Sequence, residues 1–169
     1  MAATITYQTW MVNGMEIRMA NESDIEGWMS LVRKVKDHFP GLETQAALDE
    51  HRDTVLDFMR KGAAICARIE GRIVGALLFS KTPAMLCFLA VDARYRRQHI
   101  ARKMVTHMLS LLDSDQDVVV TTYREGDPEG IAARAFYKHF GFVEGKLTEE
   151  FGSPVQEFIL YRALRKDSV

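Results

Sequence analysis

The chain has 169 residues, 47% of them hydrophobic, which is enough for one domain with a full core and leaves little room for extended disorder. A formal net charge of −1 argues against a surface built to coat nucleic acid or to adhere to a membrane. The sequence opens without a leader pattern, and no apolar run approaches the ~20 residues needed to span a bilayer, so a soluble, cytoplasmic protein is expected. Its two cysteines, Cys66 and Cys87, lie in apolar strand-like runs without CxxC or Cys/His metal spacing and read as reduced core residues.

Residues 1–14 hold a short β-prone pattern (Ile5, Tyr7, Trp10, Val12) and are treated as an N-terminal extension. Residues 15–19 form a first strand. Ser23-Asp24-Ile25-Glu26 has the S-x-x-E form of a capping box, and Ile25, Trp28, Met29, Val32 and Val35 give the helix that follows one apolar face as far as Asp37. Phe39-Pro40-Gly41 stops it. A second helix is predicted over 44–61, with Leu48, Val55, Phe58 and Met59 inward and Gly62 as its stop. Residues 63–69 and 72–80 read as a hairpin turned at Glu70-Gly71, and the apolar run 86–91 as a further buried strand. A helix from about Ile100 to Asp113, a strand over 118–123, a short helix over 132–140 ended by Gly141 and strands over 142–147 and 155–162 complete the order. The acidic loop 113–117 lacks the glycine and terminal glutamate of a calcium loop, and no metal site is expected. The order implies an α/β domain over residues 15–164, with a mixed sheet flanked by helices and a tail at 165–169.

The strand at 86–91 runs through a basic turn, Arg94 to Gln98, into the helix at Ile100. The first amides of a helix lack intrahelical acceptors and carry the positive end of its dipole, so such a junction can cradle an anion. Read alone, the turn is either that cradle or a solvated helix start.

Two motifs decide between these readings. VDARYRRQHIARKM resembles the pyrophosphate loop of the GCN5-related N-acetyltransferase (GNAT) family, Gln/Arg-x-x-Gly-x-Gly/Ala, with Arg96 at the first position, Ala101 at the last and His99 where the family has glycine. ARAFYKHFGF resembles the family's later A-x-x-F-Y-x-x-x-G-F motif at Ala133, Phe136, Tyr137, Gly141 and Phe142. The resemblance extends to the element order and implies a single-domain GNAT-like fold with a mixed, mostly antiparallel sheet. It implies acetyl-CoA as cosubstrate and an amine-bearing acceptor as partner, with acetyl transferred by direct attack in a ternary complex.

The same resemblance assigns residues. Backbone amides from Arg97 through Gln98, His99 and Ile100 to Ala101 would hold the CoA pyrophosphate, and Arg96, Arg97 and Arg102 would add charge. Glycine would serve at position 99 by letting the ligand approach closely; the His99 ring is expected to turn away from the phosphates. Leu89, Ala90 and Val91 would pair with the pantetheine arm, and Tyr137 would protonate the departing thiolate. No proton acceptor for the amine stands out: Glu43, Asp49, Glu50, His51 and Asp53 in or beside the second helix, and Glu149 and Glu150 between the last strands, are equal candidates. The acidic second helix favours a cationic acceptor. A non-catalytic acyl-CoA sensor or an interaction domain of the same fold is the alternative, and a homodimer could form along the 155–162 strand.

Overall fold

The computed structural model describes residues 10–12 and 14–162. Its strands are β1 (Trp10–Val12), β2 (Met15–Met19), β3 (Ala64–Ile69), β4 (Arg72–Lys81), β5 (Ala84–Val91), β6 (Val118–Tyr123), β7 (Val143–Glu150) and β8 (Ser153–Leu160). They form one sheet in the order β1-β2-β3-β4-β5-β6-β8-β7, antiparallel at every junction except β5 with β6. Helices α1 (Ile25–Val35) and α2 (Gln45–Arg60) cover one face, and α3 (Ile100–Leu111) and α4 (Ile131–Phe140) the other. The central strand β4 is buried along nearly its whole length, which is why it reads as a continuous apolar run rather than an alternation.

Each face has its own core. Trp28, Met29, Leu31 and Val32 of α1 pack with Ala76, Leu78, Phe88 and Ala90. Met104, Val105 and Met108 of α3 pack with Leu77, Phe79, Leu86, Val118 and Val120. The apolar face expected for α1 is the buried one. Its cap differs from expectation: Asn21, not Ser23, closes the box, accepting from Ser23 N at 3.0 Å while Asp24 accepts from Asn21 N at 2.9 Å. Glu26 is drawn instead to Arg52 of α2, 2.8 Å away.

Four further expectations change. Trp10–Val12 pairs with β2 and adds an edge strand, while Ile5 and Tyr7 lie outside the described residues. β7 continues to Glu150 and turns through Phe151-Gly152 alone, so Glu149 and Glu150 belong to a strand rather than to a connection. β8 lies between β6 and β7, so both its edges are paired and it offers no free edge to a second copy. Cys66 is a core thiol, pushed up to about 12 by burial, but Cys87 is exposed. Cys87 is skipped in the β4–β5 register, where Leu78 faces Phe88 and Phe79 faces Leu86, so it sits in a β-bulge and does not share a face with Leu89 by simple alternation.

Candidate active site

β5 and β6 meet at one registered pair, Met85 with Val119, near the start of both strands. Beyond it β5 stays paired with β4 as far as Val91, and β6 with β8 as far as Tyr123, but not with each other. The sheet therefore opens between them, and the β6-facing edge of β5 over residues 86–91 is left for another extended chain. Leu89 and Val91 lean on the α3 side of this opening, and Phe88 and Ala90 belong to the α1 side.

Directly after β5, Asp92 organises the turn that leads to α3. It is buried, its amide donates to Val74 O at 2.8 Å, and its carboxylate accepts from Arg94 N at 3.0 Å. Arg94, with Lys34 of α1 adding its charge at 3.4 Å, holds the Asp92 carboxyl down to about 2. The chain then takes two left-handed residues, Arg97 at φ 67° and His99 at φ 58°, before α3 begins at Ile100. His99 is thus the N-cap residue, and its carbonyl accepts from Lys103 N at 2.9 Å. Glycine suits this position because the backbone is left-handed there, a reason beyond close approach of a ligand.

Arg96, Arg97, Gln98, His99 and Arg102 are exposed, whereas Ile100 is buried against Gly75 and can present only its backbone. The Arg102 guanidinium lies 5.1 Å from the Phe140 ring centre and joins α3 to α4. The amides that open α3 have no acceptor one turn earlier in the helix, so they and the arginines suit a diphosphate.

Tyr137 projects from α4 into the α3-side core, 6% exposed, with Phe142 5.4 Å and Phe158 6.1 Å from its ring. Burial raises the pKa of its phenol above the ordinary value, so the hydroxyl holds its proton at neutral pH. Among the described residues that hydroxyl has no hydrogen-bond partner. Tyr137 and the α3 loop belong to the same face of the sheet.

On the other face, Asp49, Glu50 and Asp53 are exposed on α2, and Asp49 is held by Gln45 at 2.9 Å. Glu43 accepts from Gly41 N at 3.0 Å, which lowers its pKa. The His51 ring packs 5.1 Å from Phe88; Nε2 is buried without a partner among the described residues, and burial lowers the ring's pKa. Glu150 accepts from Thr121 Oγ1 of β6 at 2.7 Å. Sequence reasoning missed Thr121 and Tyr123, although VVVTTY places them opposite in parity to Val118 and Val120. A cavity of about 690 Å³ near Ser30, Arg68 and Arg72, between α1 and the β3–β4 hairpin, is separate from these groups.

The sequence profile of the Acetyltransferase (GNAT) family matches residues 28–142, a span that contains most of α1, the opening, the left-handed loop and Tyr137. The chain belongs to that family. No curated protein matches it by sequence. Its fold resembles that of a GNAT family acetyltransferase from Bacillus cereus, at 16% identity and TM-score 0.70 over 88% of this chain and 97% of the other. It also resembles Ard1 from Thermoplasma volcanium, at 24% identity and TM-score 0.67 over 86% and 96% of the two chains. A third similar structure is Arabidopsis thaliana Naa50 in complex with the bisubstrate analogue CoA-Ac-MVNAL, at 17% identity and TM-score 0.66 over 86% and 97%.

GNAT acetyltransferases take their acetyl group from acetyl-CoA, and this protein is an acetyl-CoA-dependent N-acetyltransferase. Its residues suit that cosubstrate at two points: an unpaired strand edge at 86–91 and a helix start with unsatisfied amides beside exposed arginines. Among the described residues no helix is long and apolar enough to cross a membrane, and no group of His, Cys, Asp or Glu could hold a metal ion.

Proposed function

We propose that residues 15–164 transfer acetyl from acetyl-CoA to a primary amine by direct attack, with both substrates bound together. The observation that carries this reading is the opening between β5 and β6, flanked on one face by the α3 loop and Tyr137. The pyrophosphate rests on the amides from Arg97 to Ala101, with charge from Arg96 and Arg97, and the pantetheine arm pairs with Leu89, Ala90 and Val91. Binding both reactants at one opening removes the entropic cost of their encounter, so no covalent enzyme intermediate is needed.

Tyr137 supplies the proton for the leaving sulfur. A phenol kept protonated by burial can donate to a thiolate whose conjugate acid, taken as Cys-like, is near ~8.5. An amine panel with acetyl-CoA, read by thiol release, tests the reaction. The Naa50 structure carries a peptide analogue, which brings peptide α-amines into the panel beside lysine and polyamines. An α-amine, with pKa near ~8, also has a roughly hundredfold larger free-base fraction at neutral pH than a lysine near ~10.

Tyr137→Phe should lower turnover about a hundredfold, the low end for general acid catalysis, with the acetyl-CoA KM within about twofold. Full turnover in that variant removes Tyr137 from the mechanism. Thermal stabilisation by CoA without thiol release for any amine would mark a sensor instead.

A further inference from the structure

The proton that leaves the amine needs an acceptor on the face opposite Tyr137. Val118 and Val120 point into the α3-side core, so Thr121 and Tyr123 point to the α1 side, and the Tyr123 hydroxyl indeed donates to His38 O, just past α1, at 2.7 Å. Thr121 lies beyond Val119, on the part of β6 that has left β5. Its hydroxyl holds Glu150 Oε1 at 2.7 Å, while Oε2 has no partner among the described residues.

The β7–β8 hairpin that carries Glu150 is anchored. Arg124 donates to Thr148 O at 2.9 Å and to Val155 O at 3.2 Å. The carboxylate thus lies against β6 just beyond the point where that strand parts from β5. Two rivals are less well placed: His51 Nε2 is sealed from solvent, and Glu149, the neighbour of Glu150 along β7, alternates to the other side of the strand.

We propose that Glu150 is the acceptor-side catalytic residue: its carboxylate takes a hydrogen bond from the attacking amine and receives that proton as the new bond forms. The role rests on the direct-attack reading above. The nitrogen lone pair forms the bond to the acetyl carbonyl carbon, and the carbon–sulfur bond breaks with its electron pair on sulfur. One N–H proton passes to Glu150, and the Tyr137 O–H proton passes to sulfur. Exchange with solvent then returns Glu150 to the carboxylate and Tyr137 to the phenol. Thr121 positions the carboxylate.

The test compares wild type, Glu150→Gln, Glu150→Asp and Glu149→Gln with the best amine of the panel, with rates expressed per free-base amine so that the substrate's own ionisation drops out. Glu150→Gln should lower kcat/KM for the amine at least about thirtyfold and abolish its acidic limb, while the acetyl-CoA KM and the thermal shift with CoA stay within about twofold of wild type. Glu150→Asp should recover part of the rate together with the limb, and Glu149→Gln should behave as wild type. A Glu150→Gln enzyme with wild-type rate, or a slow one whose acidic limb persists, overturns the role while leaving the transferase reading intact. A wild type that releases no thiol with any amine overturns the reading and the role together.

Discussion

His99 holds φ 58° and ψ 28°, a conformation that costs most L residues roughly 1–2 kcal/mol and that histidine tolerates better than most. Its neighbour but one, Arg97, is also left-handed, so strain is concentrated in the loop that leads into α3. His99→Gly would relieve the backbone but give the unfolded chain about 0.5–1 kcal/mol more entropy to lose. The two effects nearly cancel, and the variant should stay within about 1 kcal/mol of wild type by urea denaturation. Its CoA affinity, by titration calorimetry, should change less than tenfold, because position 99 contributes a backbone shape and an amide. A loss beyond tenfold would show that the imidazole itself contacts phosphate.

The position of α3 depends on a single missing side chain on β4. A Cβ at Gly75 would come within 2.8 Å of Met104 Cε, 2.9 Å of Ile100 Cγ2 and 3.1 Å of the Ala67 Cβ. The Met104 methyl can swing aside, but Ile100 is the first residue of α3 and cannot move without carrying the amides that open the helix with it. Gly75→Ala should therefore destabilise the fold by about 1–3 kcal/mol, the usual range for overpacking, and weaken CoA binding as well. A variant with wild-type denaturation and CoA titration curves would refute this account of the contact. The partners in this contact also show what a sequence can reveal about elements. The apolar face of α1, the start of α3 at Ile100, the hairpin at Glu70-Gly71 and the glycine stop at Gly141 were legible because each is written in local spacing. The cap of α1 was not, because Arg52 on another helix competes for Glu26. The bulge at Cys87 and the pairing of Thr121 with Glu150 were hidden for the same reason, since each depends on strands that meet only in the folded sheet.

Across the whole molecule, two imidazoles set how the fold answers acid. His107 of α3 is 4% exposed and neither ring nitrogen has a partner among the described residues; His51 packs on Phe88 with Nε2 buried. Burial lowers both pKa values, so the folded protein keeps these rings neutral at a pH where the unfolded chain, with histidines near ~6.5, takes up protons. A state that binds more protons gains as pH falls. Stability is therefore full above ~6.5 and declines below it, by at most about 1.4 kcal/mol per pH unit for each ring, until the folded-state pKa values are reached. The paired carboxylates act in a different window: Asp92, held at about 2, stabilises above its unfolded value near ~4 and loses that contribution only as pH falls toward 2. Between pH 7 and 5 the slope should thus come chiefly from the histidines. His107→Leu replaces a desolvated base with an apolar side chain of comparable size, and urea denaturation at pH 7.5, 6.0 and 5.0 should show a shallower loss than wild type while leaving the His51 share in place. Parallel stability curves for the two proteins across that range would mean that His107 takes up its proton inside the fold as readily as outside it.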